Sequence, residues 1–158
     1  MNFNIKKYYL NLFNYNSWAN RQLLTALKSA GNKIDSELKL MSHIISTQDL
    51  WLERLNRTPN YLMDIWETFS IQEIEVLLNN SSANWQKFIK RQNRNSFDNK
   101  LCIYKNSEGK EFTNLQINIM QHVITHSNYH RGQINFLLRK LKLKPVKTDF
   151  INFVREKD

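Results

Sequence analysis

Apolar side chains recur along this chain at intervals of three and four, the period of a helix that buries one face. In the first such stretch, from about Asn4 to Ala30, the recurring positions are Ile5, Tyr9, Leu12, Phe13, Trp18, Leu23, Leu24 and Leu27. Gly31-Asn32 follows, and both residues tolerate the left-handed backbone that ends helices. The second stretch begins at Asp35-Ser36, either of which can cap it, and runs to about Asn56, where Thr58-Pro59-Asn60 closes it. The aromatic connector that comes next, YLMDIWETF, is expected to be irregular or only briefly helical. A third helix is predicted from about Ser70 to Gln92. It opens on Ser70-Ile71-Gln72-Glu73, a capping box with Glu three residues after Ser.

The pattern then changes. Leu101-Cys102-Ile103-Tyr104 and Lys110-Glu111-Phe112 flank Asn106-Ser107-Glu108-Gly109, which predicts a short irregular hairpin. The fourth helix is expected to start near Thr113-Asn114 and reach about Leu143, burying Leu115, Ile119, Val123, Ile134, Leu137, Leu138 and Leu141. Pro145 should end it, and the tail DFINFVREKD should fold back through Phe150, Ile151 and Phe153. The predicted fold is all-α: one domain over residues 1–158, a four-helix bundle with a crossover connection and a short hairpin before the last long helix. The crossover is expected because the connector and the hairpin are long for a simple up-down bundle.

Composition supports this class. A chain of 158 residues with Gly 3 and Pro 2 has too few turn formers for a sandwich of many short strands. A single cysteine, Cys102, excludes an internal disulfide and a cysteine-cluster metal site. There is no uninterrupted apolar core of signal-peptide type near the N-terminus and no long apolar run, so a soluble, cytoplasmic protein with no membrane segment is expected. Lys+Arg 23 against Asp+Glu 14 gives a formal charge of +9, which would attract nucleic acid or acidic small molecules. A non-enzymatic basic protein associating with nucleic acid, or a structural metal-binding bundle, is the alternative class, and the lysine-rich RKLKLKPVK speaks for the former. No helix-turn-helix, finger or RNA-binding motif accompanies the charge. The basic end also falls where cations suit a helix C-terminus.

The four histidines are the strongest chemical signal. His43 falls in the second predicted helix, and His122, His126 and His130 fall in the fourth at spacing four. Residues four apart differ by about 40° around the axis and share a face. The apolar pattern turns His43, His126 and His130 inward. Buried imidazoles need partners. Two at i and i+4 with a third from a facing helix could converge on one divalent ion and leave a position open for water or substrate. Carbonyls and hydroxyls satisfying separate core histidines would explain the same pattern. His122, one turn displaced, is expected to flank the site. The run His126-Ser127-Asn128-Tyr129-His130 has the spacing of HExxH but carries Ser in place of Glu, so the base of that class of zinc protease is missing.

HVITHSNYHRGQINFLLRKL resembles the His-x-x-x-His-Arg-Gly-Gln helix of the DinB family, the DinB/YfiT-like metalloenzymes, which are unrelated to the DNA polymerase sharing the name. HIISTQDLWLERL is similar to that family's second helix, NYNSWANRQLL to its first, IYKNSEGKEFTNL to the segment before its fourth, and TDFINFVRE to its tail. The resemblance implies an often dimeric four-helix bundle binding a divalent metal through His43, His126 and His130. Tyr129 stands where many relatives carry another His, a departure at a non-ligand position. The resemblance further implies activation of a low-molecular-weight thiol, as in S-transferases and isomerases, with metal-assisted hydrolysis as the competing chemistry and a small molecule as substrate. Zn²⁺ suits three nitrogens, and Ni²⁺ suits imidazole as well.

Among possible auxiliaries, Arg54 could hold an anionic substrate or be a packing residue. Gln133 and Thr47 fall near the histidine face and could orient ligands. Arg131 points about 100° away from its neighbouring His. Trp18 and Trp51 could line a pocket or fill the core. Gly132 would reflect either a close helix approach or neutral drift.

Overall fold

The computed structural model describes residues 4–31, 34–58, 64–93, 97 and 99–156. Four long helices dominate it: α1 (Ile5–Ser29), α2 (Asp35–Asn56), α3 (Ile71–Arg91) and α4 (Gln116–Lys140). A two-stranded antiparallel hairpin, β1 (Leu101–Lys105) and β2 (Glu111–Leu115), precedes α4, and a short α5 (Phe150–Arg155) follows it. The protein is thus mostly helical, as the periodicity predicts.

Local chemistry explains most boundaries. The Asn4 side chain accepts from the Lys7 amide at 3.0 Å and starts α1. Gly31, at φ +75°, supplies the left-handed turn beyond it, while Asn32 lies outside the described residues. Neither Asp35 nor Ser36 caps α2. Ile34 holds the cap position without a side-chain bond, and Asp35 and Glu37 sit inside the first turn, where carboxylates suit the helix dipole. The helix ends at Arg57, whose left-handed φ of 61° lets Thr58 N–H reach back to the Glu53 carbonyl at 2.9 Å. Pro59 and Asn60 are outside the described residues, as is the start of the aromatic connector; its described part, 64–69, is a turn followed by irregular chain. Phe69 N–H donates to Ser42 Oγ at 3.0 Å and pins that segment to α2. The capping box on α3 forms as expected, with both Ser70–Glu73 bonds present.

The hairpin is longer and more regular than predicted. Its register pairs Leu101 with Leu115 and Lys105 with Glu111, so Thr113 and Asn114 belong to a strand and α4 begins only at Gln116. The ladder wins because Gln116 N–H still bonds the Lys100 carbonyl at 2.7 Å, which extends pairing to the helix start. Asn106 Oδ1 accepts from the amides of Glu108 and Lys110, and Gly109 at φ +77° closes the turn. At its other end α4 stops at Lys140, before Pro145, with Lys142 left-handed at φ 60°. Leu141 is consequently exposed rather than buried, as is Ile151 in the tail. Phe153 is buried, and Phe150 meets Tyr15 edge-on at 5.2 Å.

α1 packs chiefly on α3, and α2 chiefly on α4; α2–α3 and α1–α4 contacts close the arrangement, with little contact between α1 and α2. Two apolar clusters result. One gathers Phe13, Leu52, Trp85 and Met120; the other gathers Leu23, Met41, Leu78 and Ile134. Between them each helix contributes buried polar groups: Asn16 and Asn20, Gln48, Ser81, and Ser127 with Arg131. The guanidinium of Arg131 donates to Asn16 Oδ1 at 2.6 Å and Asn20 Oδ1 at 2.9 Å. Asn16 Nδ2 in turn donates to Gln48 Oε1. The fold therefore has a polar waist, and the histidines lie at that level on α2 and α4.

Gly132 has nothing within 4 Å of the place its Cβ would occupy, so a close helix approach does not account for it. Gly132→Ala should stabilise the metal-free protein by about 1 kcal/mol through helix propensity. For a chain of this size a thermal melt would show a rise of roughly 2–4 °C.

Candidate metal centre

The pairing of α2 with α4 brings His43 against His126 and His130, and their ligand-capable atoms lie within 4.8 Å of one another. His43 and His130 are buried at 4% and 7% exposure, and His126 is half-buried. The rings of His43 and His130 meet edge-to-face at 4.8 Å, and that of His126 is 5.1 Å from His43.

The partners of the outer ring nitrogens decide which atoms face inward. His43 Nδ1 lies 2.9 Å from the Ile65 carbonyl, which can only accept, so this nitrogen carries the proton. His130 Nδ1 likewise meets Gln133 Oε1 at 2.7 Å. Thr47 Oγ1 donates its own proton to the His43 carbonyl at 2.7 Å, so it can only accept from His126 Nδ1, at 3.4 Å. All three rings are then Nδ1–H tautomers with Nε2 unprotonated. The Nε2 atoms of His126 and His130 face each other at 3.1 Å, two lone pairs with no proton between them. A tetrahedral ion with metal–nitrogen bonds of about 2.0–2.1 Å would space its ligands by about 3.3 Å. The donor set fits a divalent cation.

Electrostatics agree with that fit. Burial, reinforced by His130, His43 and His122, pushes the His126 imidazolium down to about pKa 4. Burial also lowers His43, against the opposing pull of the Ile65 carbonyl. Both rings are therefore neutral at physiological pH, the form a metal requires. Because Thr47 and Gln133 hold the tautomers a metal would need, Thr47→Ala and Gln133→Ala should each weaken divalent-metal affinity about 10–100-fold, measured by competition with a chelating dye. Ser127, at the Glu position of HExxH, is fully buried and donates to the Val123 carbonyl at 2.8 Å, so no base stands there.

The cluster has an aromatic rim. Trp66 stacks on His43 at 3.7 Å and 7°, while remaining 46% exposed. Tyr129 lies 5.1 Å from His130, and its hydroxyl accepts from Gln133 Nε2 at 3.3 Å. His122 is exposed one turn along α4, its ring 5.4 Å from His126, a flanking position as expected. Arg54 lies over the rings of Trp51 and Tyr104, at 4.5 and 4.8 Å, and donates to the Lys105 carbonyl at 3.0 Å. Trp18 is away from the cluster, packing on Phe153 and donating to Glu156. The Ile65 carbonyl and Trp66 were not identified from sequence; the concentration of aromatics in the connector was the available signal.

Fold and cluster together define a mostly helical protein whose three-histidine group could bind a divalent ion between two helices. Comparison with known proteins places it more closely. The chain matches the DinB family model over residues 1–157 and belongs to the DinB family. It is also similar to Protein DinB of Bacillus subtilis (strain 168), at 28% identity over 156 residues, covering 88% of this chain and 89% of that relative.

Proposed function

We propose that the protein is a divalent-metal-dependent enzyme in which His43, His126 and His130 hold the ion, and that it transfers a low-molecular-weight thiol to a small electrophile. The observation that supports this most directly is the convergence of two unprotonated Nε2 atoms at 3.1 Å, with the Nδ1–H groups of all three rings already engaged outward. Zn²⁺ is the ion best suited to three nitrogens, with Ni²⁺ second. Three neutral imidazoles would leave a bound divalent ion its full double charge, and the chemistry it would supply is acidification of a thiol or water towards neutral pH.

The chain's own residues do the remaining work. Ile65, Thr47 and Gln133 fix the ring tautomers. Trp66 covers one face of His43 and excludes water from it. In the net reaction the thiol sulfur bonds to an electrophilic carbon, the leaving group departs with its electron pair, and the thiol proton passes to solvent. Metal-assisted hydrolysis is the competing reading at the same site. The proposal includes a four-helix bundle with a crossover connection, folded as one domain over residues 1–158, dimeric and cytoplasmic. No helix among the described residues is long and apolar enough to cross a membrane.

The test is metal analysis of protein purified under metal-replete conditions, followed by turnover of an electrophile panel with and without added thiol. One divalent ion per chain and thiol-dependent turnover are expected. Absence of a stoichiometric ion would overturn the metal assignment, and turnover indifferent to thiol would favour hydrolysis.

A further inference from the structure

The groove between α2 and α4 does not end at the histidine cluster. Along α4, Asn118, His122, His126 and His130 form one stripe at spacing four, and Thr47 and Trp51 face it from α2. One turn beyond His126 the groove opens into a cavity of about 260 Å³ lined by Trp51, Tyr104, Asn114, Asn118, Ile119 and His122. His122 joins the two regions, its ring 5.4 Å from both His126 and Trp51. We infer that this cavity binds an uncharged planar molecule, an aromatic or conjugated compound bearing a carbonyl or amide, with its reactive edge toward the three imidazoles.

Shape and chemistry support this choice of ligand. Trp51 and Tyr104 meet edge-to-face at 4.9 Å, and Arg54 lies over both rings and holds them in place. This makes a rigid aromatic corner opposite Ile119. Ligand sites for drug-sized molecules span roughly 300–1,000 Å³, so this smaller cavity suits one or two fused rings. No Asp, Glu, Lys or Arg is among the described lining residues, so a charged ligand finds no direct ion-pair partner in the lining to offset its desolvation. The polar lining is the amides of Asn114 and Asn118, the Tyr104 hydroxyl and the His122 imidazole. Tyr104 donates its hydroxyl proton to Asn114 Oδ1 at 2.8 Å, which leaves the Asn114 N–H groups as the donors of that amide. A carbonyl oxygen is the complementary group. Arg54 acts through the aromatic corner as a positioning residue rather than as an anion receptor.

That the bound molecule is the electrophile of the proposed reaction rests on the metal reading; the binding itself does not. The test uses 2-naphthamide as probe, with cyclohexanecarboxamide and 2-naphthoate as comparators, titrated into metal-loaded protein and into chelator-treated protein. Amide and indole resonances are followed by NMR. Saturable shifts at the Trp51 indole and His122 are expected, with the non-planar and anionic comparators binding at least tenfold more weakly. Trp51→Ala should weaken binding about tenfold, the scale of one lost aromatic contact. Asn118→Trp, at an exposed helix position that leaves the core intact, should block the cavity and abolish the shifts. Tighter binding of the naphthoate, shifts confined to another surface, or insensitivity to both substitutions would each overturn the inference. If the protein carries no metal yet binds the probe here, the metal reading fails and this one stands. If it carries metal and no cavity resonance moves, this one fails alone.

Discussion

His130→Ala should abolish stoichiometric metal binding while leaving the helices folded. The substitution removes one of the two Nε2 atoms that face each other at 3.1 Å, and His126 with His43 alone cannot complete a three-nitrogen set. The affinity loss should exceed the 100-fold upper range of a change in a ligand's own hydrogen-bond partner. Metal content after dialysis gives the direct measurement. Thermal unfolding supplies the control: metal should raise the melting temperature of the wild type, by mass action on the folded state, and leave the variant unmoved. The metal-free forms should differ by about 1 kcal/mol or less, because truncation also removes an opposed pair of lone pairs. Full retention of metal in the variant would refute the ligand assignment.

Arg131→Ala should be the most destabilising single change, at about 3–5 kcal/mol. Arg131 is fully buried, and its guanidinium serves Asn16 and Asn20 of α1 as well as the Tyr15 hydroxyl at 3.4 Å. Truncation leaves a cavity in the waist and strands two amide oxygens without a donor. Burial pulls the Arg131 pKa down, with Tyr15 opposing it, and its bonds to Asn16, Asn20 and Tyr15 all go to neutral acceptors. Arg131→Met, which keeps much of the volume and removes the charge, should therefore cost markedly less than Ala. Urea denaturation of the three proteins at one pH would establish the order. Equal losses for Ala and Met would show that the hydrogen bonds, not the volume, dominate.

The residues that carry periodic apolar character were readable before the structure: Leu23, Leu27, Ile119, Val123 and Ile134 all lie in the core. So was the inward set of His43, His126 and His130, because spacing on a helix converts directly into facing. Helix ends were less legible. Thr113 and Asn114 read as a helix start because capping residues and turn residues are the same types, and only cross-strand pairing with Cys102 and Ile103 decides between them. Leu141 and Ile151 read as core because composition cannot show where a helix has already ended or which side a six-residue helix presents. The waist was invisible for a different reason. Arg131 was expected to point away from the histidines, yet its burial depends on Asn16 and Asn20, more than a hundred residues earlier.

Trp66 gives the cluster an optical consequence. An indole stacked 3.7 Å from an imidazole is close enough for an ion on that imidazole to quench its excited state. An ion with an open d shell, such as Ni²⁺, should quench its emission, whereas d¹⁰ Zn²⁺ should leave it bright. Trp85 is buried in the apolar cluster with Phe13 and Trp18 lies against the tail, so neither reports on that ring, whereas Trp51, 5.4 Å from His122, contributes a background that must be subtracted. A Trp66→Phe difference spectrum would isolate the signal. The molecule therefore carries its own fluorescent discriminator of metal identity.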